Sequence, residues 1–224
     1  MNVHRGKIEW ITDRFRIPSF IALYLSILPI MSLGADTNNA PAALVDEYNI
    51  ICDRDDYAKA LEWFQKDVDI SEKVLGREHP DTARTYSNIA FAYYCQVEYA
   101  KALEWDLKAL VSYEKIYGKE HPYTVATYHN IGLVYDKLDD YPKALEWFQQ
   151  ALVLSEKVLG KEHPDTIFMY SRLARMYEDR GDYAKALEWY QKSLAIHEKV
   201  YGKNYAWTKI AKRDVEVLES RQKN

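Results

Sequence analysis

Four copies of nearly one sentence dominate this chain. YAKALEWFQKDVDISEKVLGREHPDT begins at Tyr57, YAKALEWDLKALVSYEKIYGKEHPYT at Tyr99, YPKALEWFQQALVLSEKVLGKEHPDT at Tyr141 and YAKALEWYQKSLAIHEKVYGKNYAWT at Tyr183, each start 42 residues after the last. A fixed period of this size specifies stacked units. Each unit buries its apolar face on its neighbours, so 224 residues need no single large core.

Within a copy the apolar spacing is helical. Tyr57, Ala60, Leu61, Phe64, Val68 and Leu75 recur three, four and seven apart, and Trp63, Ile70 and Val74 form a second stripe beside them. A helix apolar on two flanks is expected to pack on two sides. Gly76 suits the residue just past its end. REHPDT then restarts the chain, with Pro80 in a first helical turn and Asp81 where the helix dipole favours an acid. Tyr86, Ile89, Ala90 and Tyr93 continue that helix to a break near Val97. Each repeat is therefore two antiparallel helices, a shorter A and a longer B. Ala60, Ala102, Ala144 and Ala186 hold one register of helix B, and Ala90, Gly132 and Ala174 one register of helix A. Small side chains there let axes approach, with Tyr and Trp filling the flanks.

The pattern Tyr86, Ile89, Ala90, Tyr93, Tyr99, Ala102 and Ala109 resembles the tetratricopeptide repeat, whose usual period is about 34. The extra residues fall at the end of helix B (SYEKIYGK), and the long B helix followed by LG-x-E-H-P-D-T resembles the repeats of kinesin light chains. The resemblance covers residues 55–203 and implies an all-α, right-handed superhelix. About four helix pairs are expected, near 41–76, 80–118, 122–160 and 164–202. A charged capping helix and tail follow at 204–224, while residues 41–54 match a first A helix poorly. The heptad coiled coil that joins a light chain to its motor is absent.

Residues 1–16 carry four cations, and Ile17–Ala35 carry no charge. Three readings fit residues 1–35: a signal peptide or membrane anchor, translated upstream sequence with Met31 as the start, or an added cap on the first repeat. Localisation is cytoplasmic if this leader is not functional, and membrane-anchored or exported otherwise.

A net charge of −4 and a pI near 5.9 argue against a nucleic-acid footprint, which needs a clustered basic face. Cys52 and Cys95 show no paired pattern and read as thiols. His79, His121 and His163 recur with the period; equivalent residues of adjacent repeats stand about 8–10 Å apart, too far to share an ion, so they read as organisers of the turn into helix A. His129 and His197 read as surface or groove residues. Asp55/Asp56, Asp139/Asp140 and Glu178/Asp179 read as solvated turn acids, and Trp63, Trp105, Trp147 and Trp189 as packing residues. No phosphate loop, G-x-S-x-G or Cys/His nucleophile pairing is present. No catalysis, cofactor or metal is expected.

Binding is expected on the A helices, which line the inner face of such a solenoid. Asn88, Asn130 and Arg172 occupy one register. An Asn side chain offers both donor and acceptor to a peptide backbone, and it is a poor helix former. The family resemblance assigns backbone clamping to Asn88 and Asn130, and recognition of acidic groups, more weakly, to Arg172 and Arg175. Arg84, Ser87, Phe91, His129, Leu133 and Ser171 would share the groove. The expected function is a non-catalytic interaction scaffold whose partner is a protein or a peptide with apolar and acidic residues. The alternatives are a peptide-responsive signalling regulator, or a membrane-tethered or exported assembly factor if residues 17–35 are an anchor or signal. Two residues break the pattern: Asp106 stands where Phe64, Phe148 and Tyr190 sit, and Asp67 where Ala109 and Ala151 sit. A buried unpaired carboxylate is costly, so Asp106→Phe is expected to stabilise the chain.

Overall fold

The computed structural model describes residues 57–222. The leader at 1–35, the helix expected within 41–54, Cys52 and Asp55/Asp56 lie outside them. The described residues form eight helices: α1 Tyr57–Val74, α2 Pro80–Cys95, α3 Tyr99–Tyr117, α4 Pro122–Lys137, α5 Tyr141–Val158, α6 Pro164–Asp179, α7 Tyr183–Tyr201 and α8 Ala206–Gln222. Helices α2, α4 and α6 are the A helices, at 16 residues each, and the B helices run to 18 or 19. Each helix packs on the next in sequence, giving the right-handed α-solenoid expected of the repeat.

The helix boundaries follow from side-chain chemistry. The recurrent histidines are N-caps: His79 Nδ1 accepts the Asp81 N–H at 3.2 Å, His121 Nδ1 that of Tyr123 at 3.3 Å, and His163 Nδ1 that of Asp165 at 3.3 Å. Each satisfies one donor that the first turn leaves open, and the proline after it needs none. At the far end of α3, Gly118 takes φ 81°, a conformation that costs it nothing. The A helices end differently. Glu98 N–H donates to Tyr93 O at 3.0 Å, and Asp140 and Asp182 do the same one and two repeats on. This closure needs a left-handed residue. Gly181 supplies it in the third repeat, but Asp139 (φ 58°) and Val97 (φ 63°) must adopt it in the others. A β-branched residue there is strained.

The core repeats as the sequence does. Ala102, Ala144 and Ala186 are fully buried, as are Ile89, Ile131 and Leu173 on the A helices. A Cβ on Gly132 would lie 3.0 Å from the Phe148 ring, so an alanine there fits only if the ring gives way by a few tenths of an ångström. Trp105, Trp147 and Trp189 lie against Tyr86, Tyr128 and Tyr170, with centroids 5.7, 5.2 and 5.9 Å apart. The hydroxyls of Tyr86 and Tyr128 donate to Glu72 and Glu114 at 2.6 Å, and Tyr170 donates to Glu156. Burial and these carboxylates push the phenols well above their usual range. Exposed ion pairs Lys115–Glu78, Lys157–Glu120 and Lys199–Glu162 tie successive loops. Helix α8 closes the array by burying Ala211, Val215 and Leu218.

Several expectations need correction. Trp63, Ile70 and Val74 are exposed, so the second stripe of α1 is not packed, and Leu75 of the first stripe is exposed too. The tyrosine that covers the later tryptophans stands 19 residues before each; the matching place for Trp63 is Leu44, outside the described residues. His197 is buried, with Nδ1 2.9 Å from Ser193 O. Cys95 is disulfide-bonded and is not a thiol. Glu178 is not a free turn acid, since it accepts from Tyr190 at 3.1 Å and Arg221 at 2.9 Å. The two pattern breaks divide: Asp67 is exposed and accepts from Thr85 at 2.8 Å, while Asp106 is buried.

Candidate functional site

Helical spacing sets Arg84, Ser87, Asn88 and Phe91 along one side of α2, His129, Asn130 and Leu133 along α4, and Ser171, Arg172 and Arg175 along α6. Their environments differ. Arg84 is exposed and paired with Asp81 at 2.8 Å. Ser87 Oγ donates to Ala83 O at 3.4 Å, and Ser171 shares a 2.8 Å hydrogen bond with Ser193. Arg175 is exposed. Asn88 is 5% exposed, more enclosed than a groove-lining residue is expected to be, and its Oδ1 has no partner.

Around Phe148 the α4 and α6 residues meet. The His129 ring presents edge-on to Phe148 at 5.3 Å and to Phe168 at 5.8 Å. Its Nε2 is enclosed and unpartnered. Burial, helped by the charge of Arg172, pushes its pKa down to about 3, so the imidazole is neutral at physiological pH. The Arg172 guanidinium sits over the Phe148 ring at 5.9 Å and 3.9 Å from Asp136. That separation is an ion pair and not a hydrogen bond, and Arg172 Nε is buried with no partner. Burial works against the Arg172 charge; Asp136 and, more weakly, the Tyr94 hydroxyl and Asp179 favour it.

A cleft opens between α2 and α4, over α3. Phe91, Tyr94 and Ala90 form one wall, and Asn130, Leu133 and Val134 the other. Its floor is Asp106, 3% exposed. Where the other repeats place an aromatic ring, this one places a carboxyl. Among the described residues the Asp106 carboxyl has no hydrogen-bond or ion-pair partner, and burial raises its pKa well above the usual carboxylate range. Phe91, Asn130 and Leu133, named from sequence, thus meet around one cleft, and His129 and Arg172 around one ring. Asp106, Tyr94 and Val134 were not among the expected site residues. Asp106 carried a signal, an acid in an aromatic register; Tyr94 and Val134 look like ordinary core residues.

Among the described residues no group of three His, Cys, Asp or Glu side chains is placed to hold a metal ion, and no helix is long and apolar enough to cross a membrane.

No curated protein matches this chain in sequence. The family model for the tetratricopeptide repeat matches four overlapping stretches, residues 49–110, 85–157, 137–199 and 165–224. Among solved structures it is similar to a Podosopora anserina kinesin-light-chain-like protein of nearly identical TPR-like repeats, at 22% identity and a TM-score of 0.67, over 78% of this chain and 82% of that one. It is also similar to BtubC (BKLC) from P. vanneervenii, at 18% identity and a TM-score of 0.61, over 81% and 79% of the two chains. A Rap protein complexed with Competence and Sporulation Factor is 22% identical with a TM-score of 0.54, over 74% of this chain and 49% of that one. These likenesses are to the fold. Repeats of this type generally make non-catalytic scaffolds for protein–protein interaction. The tiling of the family model over residues 49–224, together with the paired helices, places this chain in the tetratricopeptide repeat family.

Proposed function

We propose that this scaffold holds a peptide along the face formed by α2, α4 and α6, with Asn130 and Asn88 meeting its backbone and Arg172 an acidic group. One observation carries the reading. Among the described residues four buried side-chain polar atoms lack a partner, and three are Asn88 Oδ1, His129 Nε2 and Arg172 Nε, one on each successive A helix. Buried polar atoms are almost always satisfied, and leaving one open costs about 1–3 kcal/mol. Three in adjacent registers of one face is the pattern of a surface that completes its hydrogen bonds with a ligand. Arg172 sets the preference: its weak pairing to Asp136 leaves donors for an incoming carboxylate. The Phe91 and Leu133 side chains supply apolar contact.

A peptide-responsive regulator is the second reading, favoured by the likeness to the Rap protein complexed with Competence and Sporulation Factor. It differs in predicting that binding changes compactness.

The test is a random-peptide selection on the full chain, followed by anisotropy titration of the selected peptides. Asn130→Ala and Arg172→Ala are expected to weaken binding by about tenfold or more each, with an unchanged melting temperature. Peptides that bind both variants as tightly as the parent chain would remove this site.

A further inference from the structure

We propose that the binding face does not stop at α6 but runs on over α8, where Ile210 and Val217 take an apolar side chain of the bound peptide. The inference rests on the groove reading and extends it by one helix. Helix α8 starts 42 residues after α6, at Ala206 against Pro164, the same step that separates α6 from α4. It therefore stands where the next A helix would. The Arg221 guanidinium donates to Glu178 of α6 at 2.9 Å, which sets the two helices side by side near their C-terminal ends. Arg175 and Glu178 of α6 are also near enough to act on the Asp214 carboxyl. The register of Asn88, Asn130 and Arg172 thus continues to Asp214, that of Leu133 and Arg175 to Val217, and that of Arg84 to Ile210.

The sides of α8 differ. Thr208, Ala211, Val215 and Leu218 are buried. The registers through which α6 meets its own B helix, those of Tyr170 and Ala174, hold Lys212 and Glu216 here, both exposed. That polar flank suits the last helix of an array. The large apolar residues that α8 leaves in solvent are on the groove side: Ile210 is 37% exposed and Val217 41%. They stand about two turns apart on one stripe, with Asp214 between them. Helices do not favour β-branched residues, and a terminal helix is expected to be polar where it faces water, so the pair marks a contact surface.

Charge selects the occupant. Arg172 is only loosely paired, 3.9 Å from Asp136, and Arg175 is exposed with no ion pair among the described residues. Both stand on α6, one helix before the apolar stripe. Asp214 is paired with Arg213 at 3.4 Å, so its charge is offset. A peptide with an acidic residue over α6 and an apolar one over α8 fits this order of surfaces. Neighbouring helix axes stand about 8–10 Å apart, and an extended chain advances about 3.3 Å per residue. The apolar residue is therefore about two or three positions from the acidic one, on the side away from the residues that meet Asn130.

The experiment titrates peptides selected on the full chain, by anisotropy, against the parent, the double variant Ile210→Gln/Val217→Gln, and Val153→Gln. Glutamine is a good helix former, and both α8 positions face solvent, so the fold is kept; circular dichroism and the melting temperature check it. Val153, 66% exposed on α5, controls for the loss of any exposed apolar side chain. The selected peptides are expected to carry Leu, Ile, Val, Met or Phe about two or three positions from an Asp or Glu. Replacing that apolar residue by Ala weakens binding to the parent about tenfold or more and to the double variant by less than about threefold. Val153→Gln binds like the parent. Peptides that depend on Asn130 and Arg172 but bind the double variant as tightly as the parent overturn this inference and leave the groove reading standing. So does an apolar residue whose loss weakens binding equally on both proteins, or an equal loss with Val153→Gln. A parent chain that dimerises in sedimentation velocity while the double variant stays monomeric gives the stripe to a second copy and overturns it too. Peptides that bind Asn130→Ala and Arg172→Ala as tightly as the parent, or failure to enrich any peptide, overturn both.

Discussion

Asp106→Asn at neutral pH is expected to stabilise the chain, because a carboxyl that no described residue pairs is only 3% exposed, in a register where Phe148 and Tyr190 bury a ring. In the folded chain the carboxyl takes a proton more readily than in the unfolded chain, where it titrates near the ordinary value of about 3.9. Between those two pKa values the folded state binds the extra proton. Stability from this group is therefore present at low pH and lost as pH rises through the unfolded pKa toward the folded one. An asparagine of the same shape carries no such loss. Removing a buried, uncompensated charge is worth about 1–3 kcal/mol. For a chain of this size that is about 2–4 °C in melting temperature per kcal/mol, so a gain of roughly 2–12 °C. Phenylalanine is the less clean test: the Phe148 ring already sits 3.0 Å from the point where a Gly132 Cβ would stand, and the residue facing Asp106 in that register is Ala90, which has one. Asp106→Phe thus trades charge removal against overpacking. The assay is thermal unfolding of both proteins from pH 3 to 8. Curves that separate above the unfolded pKa and converge below it bear out the reasoning. A variant that is less stable at pH 7, or a difference independent of pH, shows that the carboxylate has a partner and refutes it.

Other perturbations probe the scaffold. Val97→Gly relieves a β-branched residue at φ 63° and is expected to raise stability by about 1 kcal/mol in urea unfolding; a lower midpoint refutes the strain. Gly132→Ala pushes a methyl to 3.0 Å from Phe148 and is expected to cost about 1–3 kcal/mol, most of it recovered when Phe148→Leu is added; a neutral Gly132→Ala would show that the ring shifts freely. Neutral His129 has a pKa of about 3 when folded against about 6.5 unfolded. Its contribution is complete above the unfolded value and is lost as pH falls toward the folded one, so His129→Phe should flatten the acid limb between pH 6.5 and 3; an unchanged limb refutes the burial. Cys95 should resist alkylation in the unfolded, unreduced chain and react after reductant, as read by intact mass; alkylation without reductant contradicts the disulfide.

Much of the fold was legible because it depends on neighbours in sequence. Pro80 after His79, Gly118 after a long helical run, and alanine in one register of every B helix are local statements, and each appears in the folded chain as a cap, a stop or a close contact. The repetition multiplied them. What escaped depends on what packs around a position and which conformation the backbone takes there. Asp67 and Asp106 look alike in sequence, yet one reaches Thr85 at the surface and the other is enclosed between α2 and α4. His197 is no different in kind from a surface histidine until Ser193 and Tyr201 pack around it. The strain at Val97 was hidden because only the glycine at the matching position, Gly181, announces a left-handed turn. For the site, the register of Asn88, Asn130 and Arg172 could be read, but the missing partners of Asn88 Oδ1 and Arg172 Nε could not, since that is a fact about every atom around them.

The central claim is that the A-helix face holds the ligand, and hydrogen exchange reads it directly. The full chain is labelled alone and with a saturating selected peptide, and the protected amides are mapped. The account predicts new protection on α2, α4 and α6, strongest around Asn130 and Arg172. Protection confined to α3, α5 and α7, or to the ends of the array, would contradict it.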